Sequence, residues 1–115
     1  AKKAIALMLA EITPTYVEKA IRMAGDDEAQ KPIIEMARAG NLAQAITDEK
    51  AMIAKNPTSG AAAFNLAVML DATGAYDEAI TQYDAALKLG PKDYYTEGRT
   101  ECAQRAAAAA ALMAD

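Results

Sequence analysis

Apolar and small residues return at helical spacing along most of this chain, and a glycine or proline breaks each run. Val17, Ala20, Ile21 and Ala24 share one face of a helix that opens at Thr13-Pro14 and stops at Gly25. The threonine can cap free amides there, and proline at the first helical position gives up an amide that had no partner. Further helices are predicted from near residue 31 to 40, then over 41–55, 60–73, 75–89 and 94–113. Pro32 requires the first of these to start near Lys31 or to bend, because an interior proline removes a hydrogen bond and clashes with the preceding turn. Gly40, Asn56-Pro57, Gly74 and Gly90-Pro91 are the stops, and Thr58 and Ser59 are cap candidates. Residues 2–12 also read as a helix, although the apolar run 4–9 is short enough for a buried strand. Strand-forming runs bounded by hairpin turns are hard to find, so the pattern is all-α.

The pattern also repeats. Gly40, Leu42, Ala45, Ile46, Thr47, Ala51 and Pro57 recur thirty-four residues later as Gly74, Tyr76, Ala79, Ile80, Thr81, Ala85 and Pro91. A fixed period of that length marks stacked helix pairs, each unable to bury its apolar face alone. Such scaffolds present long surfaces to other molecules, which points to binding rather than chemistry.

Composition narrows the function classes. The 115 residues suit one domain, and 53% apolar with 24% charged residues is ordinary for a soluble chain. Aromatics make up 5% and tryptophan is absent, so the core must rest on close helix contacts over alanine plus Leu, Ile and Met. Met36, Met52 and Met69 fall on apolar faces as gap fillers. A net charge of −4 and a pI near 4.8 disfavour nucleic acid, whose binding rests on clustered Lys and Arg. No apolar run approaches the length of a membrane span.

Chemistry finds little material. Histidine is absent, and the lone Cys102 has neither an imidazole to activate it nor partners for a zinc site or an internal disulfide. The cluster Asp26-Asp27-Glu28 lacks the spacing of a calcium loop and reads as a helix start opposing the helix dipole. The remaining acids are expected at helix starts and on polar faces. No metal, cofactor or catalytic residue is expected, and the chain is read as a non-enzyme. Ala1-Lys2-Lys3 followed by an apolar stretch resembles a small signal peptide, but Glu11 interrupts it and an amphipathic first helix accounts for it as well. A chain beginning at alanine reads as a processed form or an excised fragment. Its compartment is open, with a soluble cytoplasmic protein favoured over a periplasmic or secreted one.

Residues 60–93 resemble a tetratricopeptide repeat. Leu66-Ala67 stand at that family's Leu-Gly, Gly74-Ala75-Tyr76 at its turn, Ala79 and Tyr83 at its Ala-x3-Phe, and Ala86 and Pro91 follow. Ala63 replaces the usual Trp, and Leu70 the usual Tyr. Residues 26–59 resemble a degenerate copy that keeps Gly40, Leu42, Ala45 and Pro57, with Pro32-Ile33 at the Leu-Gly place and Glu49 at the aromatic. The resemblance implies a right-handed solenoid of antiparallel helix pairs. Residues 1–25 would close one end as N-terminal helices, and 94–115 the other as a solvating helix.

The same resemblance implies a concave face lined by the first helix of each pair. It nominates Ala61, Phe64, Asn65, Val68, Asp71 and Ala72 from the clear repeat, and Asp27, Gln30, Lys31, Ile34 and Arg38 from the degenerate one. Asn65 matches a residue that bonds peptide ligands in some members, and Arg99 falls where a supporting cation stands when the ligand is a C-terminal carboxylate. Gln30, Ile34 and Tyr95 depart from the rest of that clamp, so Asn65 reads better as a general groove residue. Tyr94 and Tyr95 could anchor a partner; the plainer reading packs one beneath the last helix and leaves the other partly exposed. The expected function is a protein–protein interaction module holding a peptide or helix of a partner. The alternative is a structural domain for homo-oligomerisation.

Overall fold

The computed structural model describes Met23, Ala24 and residues 28–114. Over these residues the chain forms one 3₁₀ turn, Glu28–Gln30, and five α-helices: α1 (Lys31–Arg38), α2 (Leu42–Lys55), α3 (Gly60–Ala72), α4 (Tyr76–Leu89) and α5 (Asp93–Ala114). No strand occurs among the described residues. Pro32 stands in the first turn of α1, where its missing amide has no intrahelical partner to lose. The helix therefore starts at Lys31 rather than bending. The helix expected over 2–12 and most of that expected over 14–24 lie outside the described residues. Met23 and Ala24 are described and neither is helical, which corrects the expectation of a helix running to Gly25. The reason is visible at Ala24, whose N–H and C=O both bond to a side chain of α3.

The two halves of the repeat end their first helices identically. Gly40 and Gly74 adopt φ of 92° and 87°. The amide of Asn41 bonds the carbonyl of Met36 at 3.0 Å, and that of Ala75 bonds Leu70 at 2.9 Å. Inside these, Gly40 bonds Ala37 and Gly74 bonds Asp71, at 3.0 and 3.1 Å. This is the Schellman arrangement, in which a left-handed residue turns the last amides back onto orphaned carbonyls. A Cβ at either glycine would meet nothing within 4 Å, so the backbone angle and not crowding requires glycine. At the start of α3 the Ser59 hydroxyl accepts the Ala62 amide at 3.1 Å. Thr58 instead donates to Asn56 Oδ1.

Helix α3 is the centre of the fold. Every residue from 62 to 71 is buried, and α4, α2 and α5 all pack on it. A helix apolar around its whole circumference needs such cover on every side. Around Phe64, Leu66, Val68 and Leu70 gather Ala79, Tyr83 and Ala86 of α4 with Tyr95 and Cys102 of α5. A second cluster joins Ile33 and Ala37 of α1, Ala45 of α2 and Met69 of α3, with Met36 and Met52 partly buried beside it.

Small residues set the helix spacing. Ala45 and Ala79, one period apart, are both fully buried. On α5, a Cβ at Gly98 would lie 2.9 Å from the Tyr83 ring and 3.3 Å from the Phe64 ring, so only glycine lets α5 come this close. The substitution Ala79→Leu should overpack the contact between α3 and α4 and lower stability by about 1–3 kcal/mol. Thermal melts check this, and an unchanged midpoint would place Ala79 outside the core.

Candidate functional site

The polar centre of the molecule is Asn65, wholly buried on α3. Its Oδ1 accepts the Ala24 amide at 2.7 Å, and its Nδ2 donates to the Ala24 carbonyl at 3.1 Å and to Gln30 Oε1 at 2.8 Å. The N–H and C=O of a single residue face the same way in an extended backbone, as they do in a bonded pair of antiparallel strands. Asn65 thus supplies one rung of a ladder from a side chain. Gln30, one period before Phe64 and also fully buried, completes the chain of contacts by donating to Met52 Sδ at 3.1 Å.

A second buried polar group lies one and a half turns along α3. The Asp71 carboxylate accepts from Arg105 Nε at 2.9 Å, from Arg105 Nη2, and from the Tyr83 hydroxyl at 3.1 Å. The planar guanidinium fork matches both carboxylate oxygens. Asp71 sits in the last turn of α3, where the helix dipole disfavours a negative charge, so the Arg105 cation offsets both burial and dipole. Burial, then the Asp71 charge, pushes the Tyr83 phenol well above its ordinary value. The same two causes push the Cys102 thiol up to about 12, with its Sγ against the Tyr76 carbonyl.

The residues nominated from the sequence divide by exposure. Phe64, Asn65, Val68, Asp71, Gln30 and Ile34 are buried, Ala61, Ala72 and Arg99 are partly buried, and Lys31 and Arg38 are exposed; Asp27 lies outside the described residues. The expected open face on α3 is therefore buried in this structure, with Ala24 against Asn65 and with α2, α4 and α5 packed on the helix. Arg99 Nε donates to Asp84 Oδ1 at 2.5 Å, a bond that holds the guanidinium in its charged form. The acids are not all at helix starts or on polar faces, since Asp71 and Glu49 are buried. Arg105 was not singled out by the sequence reading. Its signal was the need of an acid on an all-apolar helix for a cation, and its place one turn from Cys102 on the inner side of α5.

An aromatic group closes the other side of α3. Phe64 stacks on Tyr95 with centroids 4.5 Å apart and meets Tyr83 and Tyr94 edge to face at 5.7 and 5.1 Å. Tyr95 is buried and Tyr94 partly exposed, with Lys92 Nζ within 6 Å of both rings. Among the described residues no group of three His, Cys, Asp or Glu side chains is placed to hold a metal ion, and no helix is long and apolar enough to cross a membrane.

Two outcomes follow from the Asp71 network. Arg105→Ala leaves a buried carboxylate with its fork removed and should lower stability on the order of 2–3 kcal/mol, less than a wholly buried pair because Arg105 keeps part of its side chain in water. Changing Asp71→Leu together with Arg105→Met should cost less than Arg105→Ala alone, and denaturant titrations compare the two. The Cys102 thiol ionises near 9.0 when free and near 12 in the fold, so the unfolded chain loses its proton first. Stability should hold below pH 9 and fall as pH rises from there toward 12. Melts across that window should fall less steeply for Cys102→Ala.

Residues 36–94, from the last turns of α1 to the start of α5 and just over half of the chain, match the sequence model of the tetratricopeptide repeat family. No curated protein and no solved structure matches the chain. Repeats of this family generally mediate protein–protein interaction and are typically scaffolds without catalysis. The thirty-four-residue period, the paired Schellman turns at Gly40 and Gly74, the buried alanines at 45 and 79 and this match agree: the chain belongs to the tetratricopeptide repeat family.

Proposed function

We propose that this chain is a non-catalytic module that grips a segment of a partner protein by its backbone, at the face of α3 that carries Asn65. The observation that supports it is the rung at Ala24, where one side-chain amide takes both backbone groups of a residue forty-one positions away. Backbone groups are the same in every peptide, so an amide presented this way suits an extended segment of many sequences, as when a peptide adds to a sheet edge. Apolar burial around Val68 and Ile34 would supply affinity, and Asn65 would fix orientation.

A partner recovered by pull-down and then titrated provides the test. Asn65→Ala should weaken that partner by about 1–3 kcal/mol, the price of leaving its backbone groups unmatched. Glu78→Ala, an exposed acid in the first turn of α4, should leave binding unchanged. Equal binding by the two folded variants would remove Asn65 from the interface. Solution mass then separates the remaining reading, since a dimer at every concentration favours assembly of copies of this chain.

A further inference from the structure

Met23 and Ala24 lie on α3 at the place just proposed for a partner. We infer that this pair is an occupant in cis of the peptide site, and that a competing segment is extended and carries a long unbranched apolar residue followed by a small one. The inference rests on the reading of Asn65 given above and adds the class of segment and its competitor.

Four observations carry it. The amide and carbonyl of Ala24 are both satisfied by the Asn65 side chain rather than along a helix, and nothing in that rung depends on the side chain at 24. Ala24 is 2% exposed within the larger apolar cluster, so the position held by the rung admits only a small residue. Met23, partly buried, packs against both apolar clusters, a wide seat that a flexible thioether side chain fills well. The third bond of Asn65, to Gln30 Oε1, orients the amide so that the same donor and acceptor face the occupant.

The test uses the whole chain. In native-state hydrogen exchange of the wild type, the Ala24 amide should exchange at least ~100-fold faster than those of Leu66 and Ala67, because a displaceable segment opens locally while α3 opens only with the fold. A fluorescein-labelled peptide with the sequence of residues 18–30 is then titrated into the wild type, into Ala24→Glu, and into Ala24→Glu combined with Asn65→Ala. It should bind Ala24→Glu at least ~10-fold more tightly than the wild type, whose site is open only for the fraction of time the cis segment is out. Binding should be lost when Asn65→Ala is added, and a peptide carrying its own Ala24→Glu change should not bind.

An Ala24 amide that exchanges only as slowly as those of α3 overturns the inference, as does a folded Ala24→Glu chain that takes no peptide. If circular dichroism shows Ala24→Glu unfolded, exchange in the wild type decides alone. An opening Ala24 and an Asn65-dependent partner, with no peptide taken up by folded Ala24→Glu, would end this inference and leave the proposed function standing. A partner indifferent to Asn65→Ala would end both, because the inference rests on that reading.

Discussion

A helix with ten consecutive buried residues has no face to give to water, and the rest of this molecule is arranged to satisfy that constraint. One amphipathic neighbour covers about a third of such a helix. Here α2 and α4 flank α3, α5 reaches across to Phe64 with its tyrosines, and Ala24 closes a further side. Close cover in turn demands small residues at the contacts, which is why alanines 45 and 79 have no exposed surface and why α5 carries glycine at 98.

The two polar side chains on α3 turn that constraint into long-range connections. An unmatched buried amide or carboxylate costs more than a matched one contributes, so each must find a partner at whatever sequence distance supplies it. Asn65 finds Ala24 forty-one residues before it, and Asp71 finds Arg105 thirty-four residues after it. These bonds therefore specify where the flanking segments lie more than they add net stability. The apolar contacts around them are less selective, because many side chains of similar volume would fill the same space.

The local rules were legible in the sequence because they depend on residues close together. The left-handed glycines, the Ser59 cap and the start of α1 beside Pro32 each follow from a few adjacent positions, and the thirty-four-residue period from simple recurrence along the chain. The resemblance places Ala79 and Tyr83 at the family's Ala-x3-Phe, and both are buried. What was not legible depended on residues far apart. The non-helical Ala24 obeys the helical spacing of Val17, Ala20 and Ile21, and only the distant Asn65 amide explains why it departs from it. The family pattern implies an open face on α3. The near-continuous apolar run from Ala61 to Leu70 was a sign, present in the sequence, that no side of this helix is left to solvent.

The order of elements along the chain has a consequence for synthesis. Helix α3 leaves the ribosome before α4, its largest cover, and before α5, and Asp71 leaves thirty-four residues ahead of Arg105. At roughly 5–20 residues per second the nascent chain spends some seconds with its most apolar segment uncovered and its buried acid without its cation. That interval is when this protein is most open to chaperones and to aggregation, and it closes only when the inner face of α5 has emerged as far as Arg105.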